Sequence, residues 1–432
     1  MNRSLWSVLA GTFTLRFSTG LTGAMLQYYL AHIADYHADA ATVSAETVGL
    51  FAATFYVAEL ILSPMFGILS DRFGHHRVML WGPIFGAIAV VLTAASSNLF
   101  ILGGTRFLEG SSTAASVPSI LGFIAIVTAG NEALRGRAAS RFEAATLAGI
   151  GLGLIVALPL FQLLGPAAFL LNAGFYGVSF VIYRVGVQDP SGEPEAVSGE
   201  HVGFGRYLAL VRRSHVLLLA PTWIAVNAAI GLWFSQSIFQ LSKPDPRFPD
   251  QWLLQGFDVH ELVIGMIAIA IVFGAGIFWW GNRFDRYRRT SIIGVGVLGG
   301  IGLAAAAAVV NHVAYGASGN VVLGGLAVIA GLAIVVGLFA LAGATPAAVG
   351  LLADVSELFP KDRGAIMGLY SVFLAVGQIT GSLLGGLAAE WRGMDGLIVA
   401  TAILLIVALV PLSRLRRVEH YLTGPGSTAE LA

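Results

Sequence analysis

The sequence predicts an all-α integral membrane protein of twelve transmembrane helices, arranged as two six-helix halves related by a pseudo-two-fold axis. Three observations predict it: a composition too apolar for a water-soluble surface, twelve charge-poor runs of spanning length, and a loop motif that recurs half a chain later. Of 432 residues, 56% are hydrophobic and 11% charged, against about 25% charged in a soluble domain. At a mean hydropathy of +0.81, too few polar side chains remain to coat a folded surface. A soluble enzyme and a disordered chain are both excluded. Charges balance at 24 against 24, so no global field marks a nucleic-acid partner. Cysteine is absent, which excludes disulfides, thiol catalysis and thiolate metal sites.

Crossing a hydrocarbon core of ~30 Å takes ~20 mostly apolar residues per helix. Runs of that kind cover 5–31, 45–68, 78–98, 100–128, 142–163, 166–187, 215–240, 260–281, 290–312, 320–350, 364–388 and 395–412. The first is not read as a signal peptide: its apolar run is long, it contains Arg16, and no small-residue cleavage site follows.

Loop charge sets the orientation, because cytoplasmic loops retain Lys and Arg. With both termini in the cytoplasm, nineteen of the 24 cations fall in inner loops and tails, while Lys243, Arg247 and Arg392 fall outside and Arg16 and Arg106 lie within spans. Trp6, Trp279 and Trp280 at inner ends and Trp391 at an outer end fit the interfacial aromatic belt. The expected location is the cell membrane.

The loop after the second span, Gly67-Ile-Leu-Ser-Asp71-Arg72-Phe-Gly74-His75-His76-Arg77, has a counterpart after the eighth, Gly281-Asn-Arg-Phe-Asp285-Arg286. Asp71 and Asp285 are 214 positions apart, close to half of 432. The expected division is therefore an N-terminal half over 1–187, a Gly/Pro/Ser/Glu-rich cytoplasmic linker with an amphipathic stretch over 188–214, a C-terminal half over 215–412, and a cytoplasmic tail over 413–432.

The Gly67-to-Arg77 stretch resembles the signature loop of the major facilitator superfamily, Gly-x-x-x-Asp-Arg-x-Gly-Arg-Arg, with His75 and His76 at the two basic positions. Arg106-x-x-Glu109-Gly110 in the fourth span, and Arg363-Gly364 through Gly368, Tyr370, Gly377, Gln378 and Gly381 in the eleventh, are similar to the family as well. The resemblance implies alternating access between the halves. It departs from the family's proton-linked drug exporters at two places. Those usually carry Gln where this chain has Glu109, and a Gly-x-x-x-Gly-Pro-type motif in the fifth span, where Gly149-Ile-Gly151-Leu-Gly153 is followed by Leu154 and the nearest proline is Pro159.

Four ionisable residues sit well inside spans: Arg16, Glu59, Arg106 and Glu109. Each costs ~2.5–3.5 kcal/mol at the centre of an inserted helix, so such residues are functional candidates that face the protein interior. Arg16 lies ~16 Å into the first span at 1.5 Å per residue. Arg106 and Glu109, three residues apart, share one helix face. All four belong to the first half, which is expected to handle protons, with Glu59 and Glu109 titrating and Arg16 and Arg106 tuning them or binding an anionic group. A second reading of Arg106 with Glu109 is a static latch that fixes packing.

Stripes at helical spacing read as cavity lining or as helix packing: Arg16, Thr19, Gly20, Gly23 and Gln27 in the first span; Trp223, Asn227, Gly231 and Phe234 in the seventh; Tyr370, Gln378, Gly381 and Gly385 in the eleventh. Gln27, Trp223, Asn227, Phe234, Tyr370 and Gln378 are the substrate-binding candidates, with Asn227 and Gln378 foremost, because an unpaired amide in hydrocarbon is costly. Gating candidates are Gly67, Asp71, Arg72, Gly74 and Arg77, with Arg141 as a possible partner of Asp71, and Asp285 and Arg286 in the second half. Asp71 would accept backbone N–H groups at another helix start, or pair with Arg141, and so hold the cytoplasmic side shut.

Lysine occurs only at 243 and 361, and neither lies in a phosphate loop, so the chain does not itself hydrolyse ATP. His260-Glu261 lacks the second His of a zinc-protease pair. No cofactor or metal is expected. The expectation is a monomeric secondary transporter of a small organic solute, proton-coupled, with lipid as its other partner. Export of amphipathic compounds is favoured by the apolar second half. Proton-coupled uptake, or a non-transporting sensor or assembly protein built on the same fold, stay open as alternatives.

Overall fold

The computed structural model describes residues 3–38, 42–128, 130–188, 218–283, 286–314, 320–357 and 363–423. Helix is the regular structure throughout, and no strand occurs among the described residues. The linker and amphipathic stretch expected at 188–214 lie almost entirely outside them. The first unit carries α1 (Arg3–Ala31), α2 (Ala45–Phe73), α3 (Trp81–Ala94, entered through the short helix His75–Met79), α4 (Leu99–Val127), α5 (Glu132–Leu164) and α6 (Ala167–Gly186). There follow α7 (Ala220–Leu241), α8 (Val259–Gly281), α9 (Arg289–Val313) and α10 (Val321–Ala342, continued by Ala344–Glu357). The helical run Arg363–Thr423 is interrupted at Arg392 and Gly393, giving α11 over 363–391 and α12 over 394–423.

Ten stretches are long and apolar enough to cross a membrane, among the described residues. The difference from twelve has two causes. The stretch Ser371–Arg417 holds both α11 and α12, and α1 falls short of the others because Arg16 and a series of Ser and Thr residues dilute its apolar content. The chain is a multi-pass membrane protein.

Side-chain caps set several of the helix starts. Ser44 accepts the Thr47 N–H at 3.2 Å ahead of α2, Asn98 the Phe100 N–H at 2.9 Å ahead of α4, and Asn131 the Leu134 N–H at 2.9 Å ahead of α5. Asp258 and Glu261 form a reciprocal capping box at α8, with both N–H···carboxylate bonds at 2.9 Å. That accounts for the carboxylate beside His260. The cap of α9 comes from far away. Glu419, on the last turns of α12, is 3% exposed and accepts from Thr290 N at 3.2 Å and from the Thr290 hydroxyl. Residues 413–423, expected as part of a tail, therefore continue α12.

The chain splits into two compact units. The first holds the described residues up to 188 with Leu241–Lys243 and Phe257–Met266, and the second holds the remainder. In the first unit α1 packs on α5 and α6, α2 on α4, and α3 on α4 and α6. The second repeats the scheme: Gly377, Gly381 and Gly385 of α11 lie against Asn227, Ala228 and Leu232 of α7, Trp280 of α8 donates to Phe339 O of α10 at 3.1 Å, and α9 packs on α10 and α12. Each unit has its own apolar core. One is built around Val8, Met79, Phe123, Phe142 and Tyr183, the other around Trp223, Val226, Ile293, Leu351 and Leu405.

Small residues permit the closest contacts. A Cβ on Gly20 would lie 2.5 Å from Ile150 O of α5, and one on Gly149 would lie 2.6 Å from Phe13 O of α1. Gly153 meets the Phe17 carbonyl in the same way, whereas nothing lies within 4 Å of Gly151. Gly149-x-x-x-Gly153 is therefore a backbone-on-backbone seam between α5 and α1, the usual role of such spacing in a membrane helix.

Candidate functional site

The first unit gathers its ionisable groups on facing helix surfaces at mid-depth. The Arg106 guanidinium is ion-paired to Glu109, one turn on, and lies 4.9 Å from the centre of the Phe55 ring of α2. Glu109 is 1% exposed, and its second oxygen accepts the Tyr176 hydroxyl of α6 at 3.0 Å. One turn before Tyr176, the Asn172 amide donates to Thr22 Oγ1 at 2.9 Å and to Ser18 O at 3.0 Å on α1. Tyr183, further along α6, shares a 3.3 Å hydrogen bond with Thr12. These contacts tie α1, α2, α4 and α6 together, and both carboxylate oxygens of Glu109 are engaged.

Arg16 has a different environment. It is 8% exposed, and Nη1 donates to Thr113 Oγ1 of α4 at 3.1 Å, while Nε is buried with no hydrogen-bond partner. Its charge acts on Glu59 of α2 and on Glu143 of α5. Among the described residues neither carboxylate receives a hydrogen bond; Glu59 is half-buried and Glu143 exposed. Tyr56, one turn before Glu59, lies under the charges of Glu59, Arg106 and Arg16. Pro64 deprives α2 of a ladder bond in the next turn, and the Ser63 hydroxyl donates to Glu59 O at 2.6 Å.

In the second unit the stripes belong mainly to packing. Trp223, expected to meet substrate, is 1% exposed, in the apolar core that also holds Leu351, Phe373 and Leu405. Phe234, on the same expected stripe, is 52% exposed and so departs from the buried face formed by Trp223, Asn227 and Gly231. Asn227 uses its amide nitrogen on Trp223 O at 2.9 Å. Gln378 is buried against Gly231, and its Oε1 has no hydrogen-bond partner. Gln27 of α1 is half-buried. The side chain of Tyr370 lies outside the described residues.

The loop after α2 is formed by Gly74, whose φ of +93° ends the helix in a conformation that favours glycine. Asp71 is 73% exposed on its side chain and stands 3.7 Å from His75 Nε2. The expected pairing with Arg141 is not what the structure has: the Arg141 guanidinium lies 5.4 Å from the Trp6 ring centre. His75 and His76 point inward, which suits imidazole rings better than the longer basic side chains they replace. His75 Nδ1 is 3.0 Å from Ser70 Oγ, with Gly122 of α4 leaving room for its ring, and His76 Nε2 is 2.9 Å from Tyr183 O. Gly67 faces Pro118 of α4, while Arg72, Arg77 and, in the second-unit loop, Arg286 are exposed. Asp285 lies outside the described residues. Nearby, Arg289 Nε donates to Asp354 Oδ2 at 3.2 Å.

The family model described as Major Facilitator Superfamily matches residues 8–334 and 246–430, the greater part of the chain. The chain belongs to the major facilitator superfamily. It is 26% identical over 249 residues to Multidrug resistance protein 1 of Bacillus subtilis, a match covering 57% of this chain and 59% of that protein. It is 24% identical to the human Chromaffin granule amine transporter, over 58% of this chain and 46% of the relative. A third relative is Quinolone resistance protein NorA of Staphylococcus aureus, at 21% identity over 57% of this chain and 60% of the relative. The chain thus matches three-fifths or less of the length of these relatives. Among solved structures, the nucleoside transporter NupG superposes with a TM-score of 0.68 at 14% identity, covering 96% of this chain and 99% of NupG. The human organic anion transporter MFSD10 gives 0.64 at 16% identity, with 96% and 99% covered. Both likenesses bear on the fold.

Sequence reasoning missed three participants. Glu143 stands near the start of the fifth apolar run, and nothing in the sequence shows that Arg16 of α1 faces it. Asn172 and Tyr176 had a signal: Asn172, Tyr176, Ser179 and Tyr183 recur at helical spacing, and each is 0% exposed.

Proposed function

We propose that the chain is a proton-coupled secondary transporter that exports a small amphipathic organic solute by alternating access, with Glu59 as the proton carrier. The observation that carries this reading is the contrast between two mid-depth carboxylates. Glu109 is engaged on both oxygens, by Arg106 and Tyr176, so protonating it would strand a buried guanidinium. Glu59 receives no hydrogen bond among the described residues, it is only half-buried, and Arg16 is the cation acting on it. A proton can be gained and lost there with little rearrangement. Arg106–Glu109 is then the latch, and Arg16 with Glu59 and Glu143 the responsive set.

At mid-depth in the second half the polar groups of the spans are neutral, and Gln378 is the foremost solute contact because its amide oxygen is buried unsatisfied. The relatives' names, two of them resistance proteins and one an amine transporter, support export of an amphipathic compound over uptake. The loop-charge asymmetry supports cytoplasmic termini in a cell membrane. The test is flux of a fluorescent amphipathic organic cation in proteoliposomes under an imposed pH gradient. Wild type is expected to accumulate dye in response to the gradient. Glu59→Gln is expected to lose that response while still exchanging dye down its own gradient. An unaltered pH response in Glu59→Gln removes Glu59 from coupling, and dye binding without flux under any gradient favours the non-transporting sensor.

A further inference from the structure

We propose that the outer end of the α11–α12 hairpin is a binding site for one anionic phospholipid, its acyl chain lying in the groove between the two arms and its phosphate on Arg392. The hairpin turns at Gly393, where φ is +57° and a Cβ would lie 2.5 Å from Leu254 Cδ1. That turn brings Gly396 against the Ala388 carbonyl, so the arms touch along their inner edge. Toward the membrane they leave a groove of about 310 Å³, at the small end of ligand cavities. Its floor is small, from Ala388, Gly396 and Ala400, and its sides are large, from Leu384, Leu387, Trp391, Val399 and Ile403. Two side-chain stripes, 384–387–391 and 396–399–403, run parallel at helical spacing. An extended hydrocarbon chain fits a slot of this shape and chemistry.

The rim supplies the head-group chemistry. Trp391 lines the groove and is 65% exposed, and the Arg392 guanidinium lies 5.4 Å from its ring centre. Tryptophan at that depth marks the head-group layer. No carboxylate is paired with Arg392 among the described residues, because the neighbouring Glu390 is ion-paired to Arg247. Gln251 Nε2 holds the Arg392 carbonyl at 3.0 Å, and so fixes the backbone that carries the side chain. An uncommitted guanidinium above an apolar slot matches a phosphodiester above an acyl chain, and bidentate binding of phosphate is what guanidinium geometry suits.

The experiment is native mass spectrometry of the purified full-length protein, given phosphatidylglycerol, phosphatidylcholine of the same acyl chains, or inorganic phosphate. Three proteins are compared: wild type, Arg392→Gln and the groove-filling Ala400→Phe. Wild type is expected to retain one phosphatidylglycerol in preference to phosphatidylcholine and no inorganic phosphate. Arg392→Gln is expected to lose that preference by roughly fivefold, the weight of one cation beside an anionic surface. Ala400→Phe is expected to retain neither lipid at this site. Circular dichroism with an unchanged helical signal shows that the variants are folded, and Arg392→Gln, on an exposed turn, serves if Ala400→Phe does not fold. Equal retention of phosphatidylglycerol by wild type and Arg392→Gln overturns the proposal. So does binding of inorganic phosphate at equal strength, or a wild-type dimer that Ala400→Phe converts to monomer, which would make the groove an interface between copies.

Discussion

The Tyr176 hydroxyl of α6 donates to Glu109 of α4 at 3.0 Å, on the oxygen that Arg106 does not take. Both oxygens of this buried carboxylate are engaged, so removing either partner leaves a buried polar group uncompensated. Glu109→Gln is expected to lower stability by about 3–5 kcal/mol, the usual cost of leaving a buried partner charge uncompensated. Tyr176→Phe is expected to cost about 1.5–3 kcal/mol, as for a hydrogen bond to a charged group. Thermal unfolding in detergent measures both. Any dye flux that Tyr176→Phe retains is expected to keep the wild-type pH profile, and a shifted profile would place Glu109 among the titrating groups.

The α1–α5 seam makes a position-specific prediction. Gly153→Leu puts a side chain into the Phe17 carbonyl and is expected to prevent assembly of the first unit, read as loss of folded protein in fluorescence size-exclusion chromatography. Gly151→Leu, two residues away with open space around it, is expected to leave the elution profile unchanged.

His312, at the end of α9, lies 3.0 Å from both Asp395 oxygens at the start of α12 and 3.8 Å from Asp250 of the loop between α7 and α8. Beside it Asn311 donates to Asp395 at 2.8 Å and accepts the Leu253 N–H at 3.0 Å. The loop is thereby pinned to two helix ends within the second unit. His312→Ala is expected to free it, and trypsin should cut after Arg247 faster than in wild type. Equal cleavage rates would mean that Asn311, Gln251 and the Arg247–Glu390 pair hold the loop without His312.

The same loop gives a pH dependence. Burial by itself would raise the Asp245 carboxyl, but the side-chain and backbone hydrogen bonds from Arg247 outweigh it and hold the group below its ordinary value. With a depressed folded value, its contribution is full above about pH 4, the ordinary range of an aspartate, and is lost as pH falls through the folded value. Asp245→Asn is therefore expected to speed cleavage of the loop at neutral pH. With a protease active in acid, the difference between wild type and variant is expected to shrink as pH falls below the ordinary aspartate range.

The all-helical, membrane-spanning fold was legible because hydrophobic length is a property of local sequence. Helix ends were less so. α5 starts at Glu132, ten residues before its apolar run, because Arg135, Arg137 and Arg141 leave the membrane without leaving the helix. Arg16, Glu59, Arg106 and Glu109 stood out from their cost in hydrocarbon. Which of them are engaged did not, since the answer depends on Tyr176, Thr113 and Glu143 arriving from other helices. The glycine stripes of α7 and α11 resolve as packing. Trp223 lies in the core, since an aromatic at helical spacing serves a core as readily as a cavity.

Glu419 reaches back across 129 residues to close the first turn of α9. During synthesis the Thr290 N–H and hydroxyl therefore lack this partner until Glu419 has been made. Completion of the second half is then tied to arrival of the final turns, so a nascent chain stalled after α11 should remain a ready substrate for membrane quality control.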